Sequence, residues 1–313
     1  MVNSAMITTY YRHIRSGKLT TLEHPKAGSW VNATNPTPTE LAELATTYQL
    51  DLGLLTDGTD PNESPRVETE DGAIYLYTRY AYGDDGRIFT SPLLIVVGDA
   101  QIITVSLRKF GRLSNLIDGR TPIVTTQKTK LLLQILAEVQ MSYTTNLNYL
   151  SKTILGFRRE LRKENISNQD LINFIDIEET LNDFLSGLVP SGAIFRSLLT
   201  GRFFRLYEED EDLIEDLSLG ITELIELTKS RLNNIVNIRE AYSTILAGNL
   251  NRTFRRLTLI TIFMTIPMII SSLYGMNIPL PYMDRSWAFV AIIGTIVVGM
   301  FGAGWAFRRN HWM

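Results

Sequence analysis

The chain has 313 residues, a formal net charge of -3 and 45% hydrophobic residues. That length allows about two domains, and the lack of a basic excess argues against a nucleic-acid partner. Cysteine is absent, which excludes disulfides and thiolate metal sites, and His13, His24 and His311 lie too far apart in sequence for metal-ligand spacing.

Met1 to Lys18 lacks the apolar core of a signal peptide, so membrane insertion is expected to be directed from the C-terminus. Residues 1–122 read as an α/β domain, an α/β/α sandwich. They hold seven of the eleven prolines and short runs rich in β-branched and aromatic residues: Met6 to Tyr11, Ala73 to Tyr82, Phe89 to Val97 and Gln101 to Ser106. Gly83-Asp84-Asp85-Gly86 predicts a hairpin, because Asp-Gly accepts the positive φ of a tight turn. Gly98-Asp99 marks a second turn. Thr37-Pro38-Thr39-Glu40 predicts a helix start, with Thr37 as cap and Glu40 completing a capping box.

Between Pro122 and Pro190 strand signals vanish. Thr126 to Lys163 predicts one helix with Leu131, Ile135, Val139, Tyr143, Leu147 and Leu150 on a stripe, closed by Arg158, Arg159, Arg162, Lys163 and Asn165. Ser167 and Asp170 cap a second helix towards Ser186, with Ile172, Phe174, Leu181 and Phe184 as its apolar members. These two helices form the hairpin of residues 123–202. A very long helix is expected from about Phe203 to Leu273, its stalk covering 203–256. Ile214, Leu217, Ile221, Leu224, Ile235, Ile238, Tyr242 and Ile245 recur at near-heptad spacing, interrupted by Thr228 and Arg231, for packing against copies of itself or the preceding hairpin. About 70 residues of helix would extend about 105 Å.

Two uncharged runs close the chain, 257–273 and 287–307, each long enough to cross a hydrocarbon core of about 30 Å. Residues 274–286 connect them and 308–313 follow. Arg252, Arg255 and Arg256 precede the first run; Arg308, Arg309 and His311 follow the second; the connection carries only Asp284 and Arg285. The positive-inside rule then places both termini in the cytoplasm and the connection outside. One run as a buried core helix is the alternative, disfavoured by the flanking arginines.

Asn251, Phe254, Leu257, Thr258, Thr261, Thr265, Met268 and Ser272 fall on one face of the first span. Hydroxyls and an amide on one side point to a water-filled path, with interhelical packing as the competing reading. One hairpin cannot enclose a pore, so conduction requires an oligomer. Pro267 is tolerable where neighbouring helices re-satisfy the freed carbonyl. Gly294, Gly299, Gly302 and Gly304 mark the second span as an outer element permitting close approach. No Walker-type glycine loop is present.

Tyr274-Gly275-Met276-Asn277 at the end of the first span, with a C-terminal two-span hairpin, resembles the CorA family of Mg2+ transport proteins, whose signature is Gly-Met-Asn at this place. Asn251-Arg-Thr-Phe-Arg-Arg-Leu-Thr258 resembles a second family segment, with Phe254 where Met is usual. Ser64-Pro65-Arg66-Val67-Glu68 and Trp30 to Glu40 resemble segments of the soluble domain. The resemblance implies a funnel-shaped homopentamer in the cell (plasma or inner) membrane, first spans lining the pore, and a filter of Gly275, Met276 and a ring of Asn277. Neutral amide oxygens suit an ion that keeps its waters. Gly275 allows a tight helix end, braced by Tyr274 and Met276.

The resemblance also implies regulatory Mg2+ sites between subunits. Glu208 to Asp212, Glu215 and Asp216 read alone as a solvated helix start. By its distance from Gly-Met-Asn, Asp216, with Asp212, is the family-like candidate, and Asp84 or Asp85 its partner. Asp284 is the only acid in the outer loop, so cation concentration at the mouth is expected to be weak, and Phe254 with Leu257 would form a hydrophobic constriction. The expected function is Mg2+ influx, with Co2+ or Ni2+ as secondary substrates and no organic cofactor. The alternatives are a Zn2+ transporter of the same superfamily and a non-conducting, membrane-tethered sensor. No catalytic constellation points to an enzyme.

Overall fold

The structure is a computed structural model; it describes residues 6–15, 18–161, 168–204, 206–276, 285 and 287–309. The chain forms two compact units, Met1–Arg239 and Glu240–Met313.

The first unit is built on a seven-stranded sheet. Its strands are β1 (Met6–Tyr11), β2 (Thr20–Leu22), β3 (Trp30–Thr34), β4 (Arg66–Glu70), β5 (Ala73–Asp84), β6 (Arg87–Val97) and β7 (Ile102–Ser106), in the spatial order β2-β1-β3-β7-β6-β5-β4. Only β3 and β7 run parallel; the remaining pairs are antiparallel. Asp85 and Gly86 join β5 to β6 with φ of 47° and 78°. Two consecutive positive φ values make the mirror-image turn whose twist matches the strands, as the Asp-Gly pair predicts. The Gly98 N–H closes the second turn on the Gln101 carbonyl at 3.0 Å.

Helices α1 (Pro38–Tyr48) and α2 (Leu52–Asp57) cover one face, where Leu41, Leu44 and Leu55 pack with Val31, Ala33, Tyr75, Tyr77, Leu94, Val96, Ile103 and Val105. Thr37 and Glu40 form the expected reciprocal cap. The Glu40 carboxylate accepts from the Thr37 N–H and hydroxyl, and those bonds hold its pKa below the ordinary value. The alternate residues Ile74, Leu76, Leu93, Ile95 and Ile102 are buried too. Alternation carries these to the other face of the sheet. The sheet is therefore the middle of the unit rather than its wall.

α3 (Leu113–Ile117) leads into α4 (Lys128–Leu161), which packs on β5 and β6. All six residues of the α4 stripe, Leu131 to Leu150, are buried. The expected stop signals Arg162, Lys163 and Asn165, and the Ser167 cap, lie outside the described residues.

α5 (Asn168–Leu199) differs from its expected form in two ways. It continues through Pro190 rather than ending near Ser186. Leu188, Ile194, Phe195 and Leu198 are buried on both sides of the proline, and that apolar packing outweighs one lost backbone hydrogen bond. Ile172 is 49% exposed, so it does not belong to the apolar face. The buried row is Phe174, Ile177, Leu181, Phe184 and Leu188.

α6 (Glu208–Tyr274) is one helix of 67 residues. It begins five residues later than the expected Phe203. Asp210 is buried and its carboxylate accepts from the Tyr207 N–H at 3.4 Å, which closes the helix start. In the first unit its apolar row faces the preceding hairpin. A Cβ on Gly192 of α5 would meet Ile221 at 3.3 Å and Ile225 at 3.5 Å, and Gln140 of α4 reaches onto Gly220. Thr228 continues the row instead of interrupting it. It is fully buried and its hydroxyl donates to the Leu224 carbonyl at 2.7 Å. Self-satisfaction of that kind lets a threonine sit among isoleucines without a desolvation penalty.

In the second unit, the C-terminal part of α6 is joined by α7 (Ala288–Arg309). Both helices are long and apolar enough to cross a membrane, and the spans are almost entirely solvent-facing within the chain.

Candidate functional site

The face of α6 that the sequence singled out is assembled by helical geometry. At about 100° per residue, Asn251, Phe254, Leu257, Thr258, Thr261, Thr265, Met268 and Ser272 fall within an arc of about 120°. All are exposed except Thr265, which is half-buried. The face turned to α7 is a different one. Gly299 and Gly304 of α7 approach it so closely that added Cβ atoms would lie 3.4 Å from Ile266 and 3.5 Å from Phe263. Leu259, 9% exposed, lies on that side as well. The centres of the two arcs are about 150° apart, so α7 backs the side of α6 away from the polar stripe. Two of the four expected glycines supply the close approach; a Cβ on Gly294 or Gly302 would meet nothing.

The stripe's hydroxyls are chemically biased. Thr258 donates to the Phe254 carbonyl at 2.9 Å, Thr261 to Leu257 at 3.0 Å and Thr265 to Thr261 at 2.7 Å. Each hydroxyl proton is spent within the helix, which leaves the oxygen lone pairs facing outward. The row therefore presents acceptors, the groups that meet the water protons around a hydrated cation.

The helix end is tight. The Gly275 N–H donates to Ser271 at 3.0 Å, and a Cβ there would press on the same carbonyl at 3.3 Å. Tyr274 and Met276 are 39% and 45% exposed, so the expected bracing by them is not seen among the described residues. Asn277 and Asp284 lie outside the described residues, as does His311.

The proposed regulatory carboxylates are not gathered in one chain. Asp212 and Asp216 are exposed, one turn apart on α6. Asp84 ends β5 and pairs with Arg108 at 3.2 Å; Asp85 occupies the turn. Tyr80 helps to position Arg108, donating its hydroxyl to the Arg108 carbonyl at 2.9 Å. Burial pushes the Tyr80 phenol up to about 12, which keeps it a neutral donor. Among the described residues, no three His, Asp or Glu side chains converge on a metal position.

A soluble α/β unit, one continuous helix and a two-helix apolar pair define a two-span membrane protein with a large soluble part. The chain belongs to the CorA-like Mg2+ transporter protein family, whose family model matches residues 25–309. Members of this family are transporters rather than enzymes. The cobalt/magnesium transport protein CorA of Methanocaldococcus jannaschii is 25% identical over 91% of both chains. The magnesium transport protein CorA of Campylobacter jejuni is 22% identical over 93% of both. The complete CorA magnesium transporter structure from M. jannaschii superposes with a TM-score of 0.83 at 22% identity, covering 100% of each chain.

Proposed function

We propose that the protein is a homopentameric Mg2+ channel with the stripe of α6 around its axis and Asn277 at its outer mouth. It sits in the cell membrane with both termini cytoplasmic. Divalent ions enter with much of their water shell, because Mg2+ dehydrates reluctantly. The observation that carries this reading is the separation of faces: α7 occupies one side of α6, and the outward row of threonine acceptors occupies the other. Entry needs no nucleotide. An inside-negative potential supplies about 4.6 kcal/mol per 100 mV to a doubly charged ion, twice the value for one charge. Co2+ uptake is expected beside Mg2+, in keeping with the names of the relatives. Asp216 with Asp212 of one copy, facing Asp84 or Asp85 of the next, would bind internal Mg2+ and hold the channel closed. In its absence the carboxylates repel and the copies separate.

Proteoliposomes test both parts. Mg2+ uptake is expected to rise with an imposed inside-negative potential and to fall when Mg2+ is loaded inside, with Asp216→Asn blunting only the second effect. Uptake indifferent to potential refutes the channel reading. Identical internal inhibition in Asp216→Asn removes the regulatory assignment. Transport of Zn2+ in place of Mg2+ would favour the zinc alternative.

A further inference from the structure

The second unit carries an apolar groove of about 680 Å³ between α6 and α7, formed by Phe263, Val297, Phe301, Gly304 and Trp305 and ending at Arg308. Gly304 forms its floor, with Phe263 directly behind. Phe301 and Trp305 stand 77% and 65% exposed at its rims. From Val297 to Arg308 the groove extends about 16 Å at 1.5 Å per residue. That is about half of a hydrocarbon core of ~30 Å, the depth of one leaflet.

The charges at its end are one-sided. Arg308 lies one turn beyond Gly304. Arg256 lies seven residues before Phe263, on the same side of α6 and on the same end of the groove. Neither is ion-paired among the described residues; Arg309 is turned onto the Trp305 ring at 5.3 Å. Between residues 241 and 313 the sequence holds five arginines around this end, Arg252, Arg255, Arg256, Arg308 and Arg309, and its only acid is Asp284 in the connection. A phosphate brings the missing counter-charge.

We propose that this groove binds an anionic phospholipid, one acyl chain along Phe263, Gly304 and Phe301 and the headgroup phosphate between Arg308 and Arg256. Guanidinium groups suit phosphate through paired N–H donors. Trp305 sits at the level where indoles mark the edge of the hydrocarbon. The lipid would tie the Arg256 end of the α6 span to the Arg308 end of α7. The site is independent of which ion the protein carries.

Native mass spectrometry of the full-length protein, offered phosphatidylglycerol or phosphatidylcholine with identical acyl chains, tests this. Phosphatidylglycerol is expected to bind at least tenfold tighter. Arg256→Gln with Arg308→Gln should abolish that preference, each arginine contributing about fivefold, whereas Arg308→Lys, which keeps the charge and loses the paired donors, should keep only part of it. Gly304→Leu, which fills the groove and keeps the charges, should weaken binding of both lipids. Equal binding of the two lipids overturns the proposal. So does a preference that survives the double glutamine variant, or inorganic phosphate binding as tightly as phosphatidylglycerol. Lipid binding unchanged in Gly304→Leu together with an altered oligomer mass would assign the groove to another copy instead.

Discussion

Replacing Asn277 with alanine is expected to reduce Mg2+ uptake in proteoliposomes by about two orders of magnitude, leaving the protein folded and inserted. In a pentamer the substitution removes five amide oxygens from one ring. At a net 0.5–1.5 kcal/mol for each hydrogen bond to the ion's water shell, the sum exceeds ~2.5 kcal/mol. The loss is expected in flux and not in thermal stability. Asn277→Asp, which keeps oxygen acceptors and adds charge, should bind the ion more tightly and pass it more slowly. Wild-type uptake in Asn277→Ala would remove the filter from this residue.

Trp30→Ala carries the largest expected effect on stability. Trp30 is fully buried on β3, its Nε1 donates to the Thr104 hydroxyl of β7 at 3.0 Å, and the Tyr10 ring lies 5.3 Å away. It therefore sits where the only parallel pair of the sheet is joined. Truncating a buried tryptophan leaves a large cavity and costs about 3–5 kcal/mol. Set against a total stability of about 5–15 kcal/mol, that is expected to lower the melting temperature of the first unit by about 10 °C. Circular dichroism on the purified protein measures it. A shift below about 2 °C would mean that the junction is not part of the cooperative core.

What could be read from the sequence follows the physics of each element. The α4 stripe and the two spans repeat the same pattern over many turns, so their identity is plain. The Asp85-Gly86 turn and the Thr37 cap are legible because few residues satisfy those backbone demands. β3 was passed over as a strand although it lies in the middle of the sheet. It is only five residues long with Asn32, a poor strand former, at its centre, and the full burial of Trp30, Val31 and Ala33 is a product of tertiary packing. α2 was hidden by Gly53 in its first turn, though Asp51 accepts from the Leu54 N–H at 2.8 Å as its cap. The full length of α5 is not legible beyond Ser186, because only the burial of Leu188, Ile194, Phe195 and Leu198 shows that the helix continues through Pro190.

At the candidate site, residue spacing disclosed the polar face of α6. It could not disclose the face that α7 covers. That needed the contacts of Gly299 with Ile266 and of Gly304 with Phe263. The back-bonding of Thr258, Thr261 and Thr265, which turns a row of hydroxyls into a row of acceptors, was equally invisible in the sequence.

The absence of native cysteine makes the central claim directly testable, because single cysteines can be placed in an otherwise unreactive chain. Thr258→Cys, Thr261→Cys and Thr265→Cys, reconstituted in liposomes, should be modified by a charged, water-soluble thiol reagent, losing at least 90% (about tenfold) of Mg2+ uptake. External Mg2+ should slow the reaction. Phe263→Cys and Ile266→Cys, on the face against α7, should be unreactive and keep their flux. The opposite pattern, with the α7-facing cysteines reactive and the threonine positions silent, would contradict the assignment of this face to the ion path.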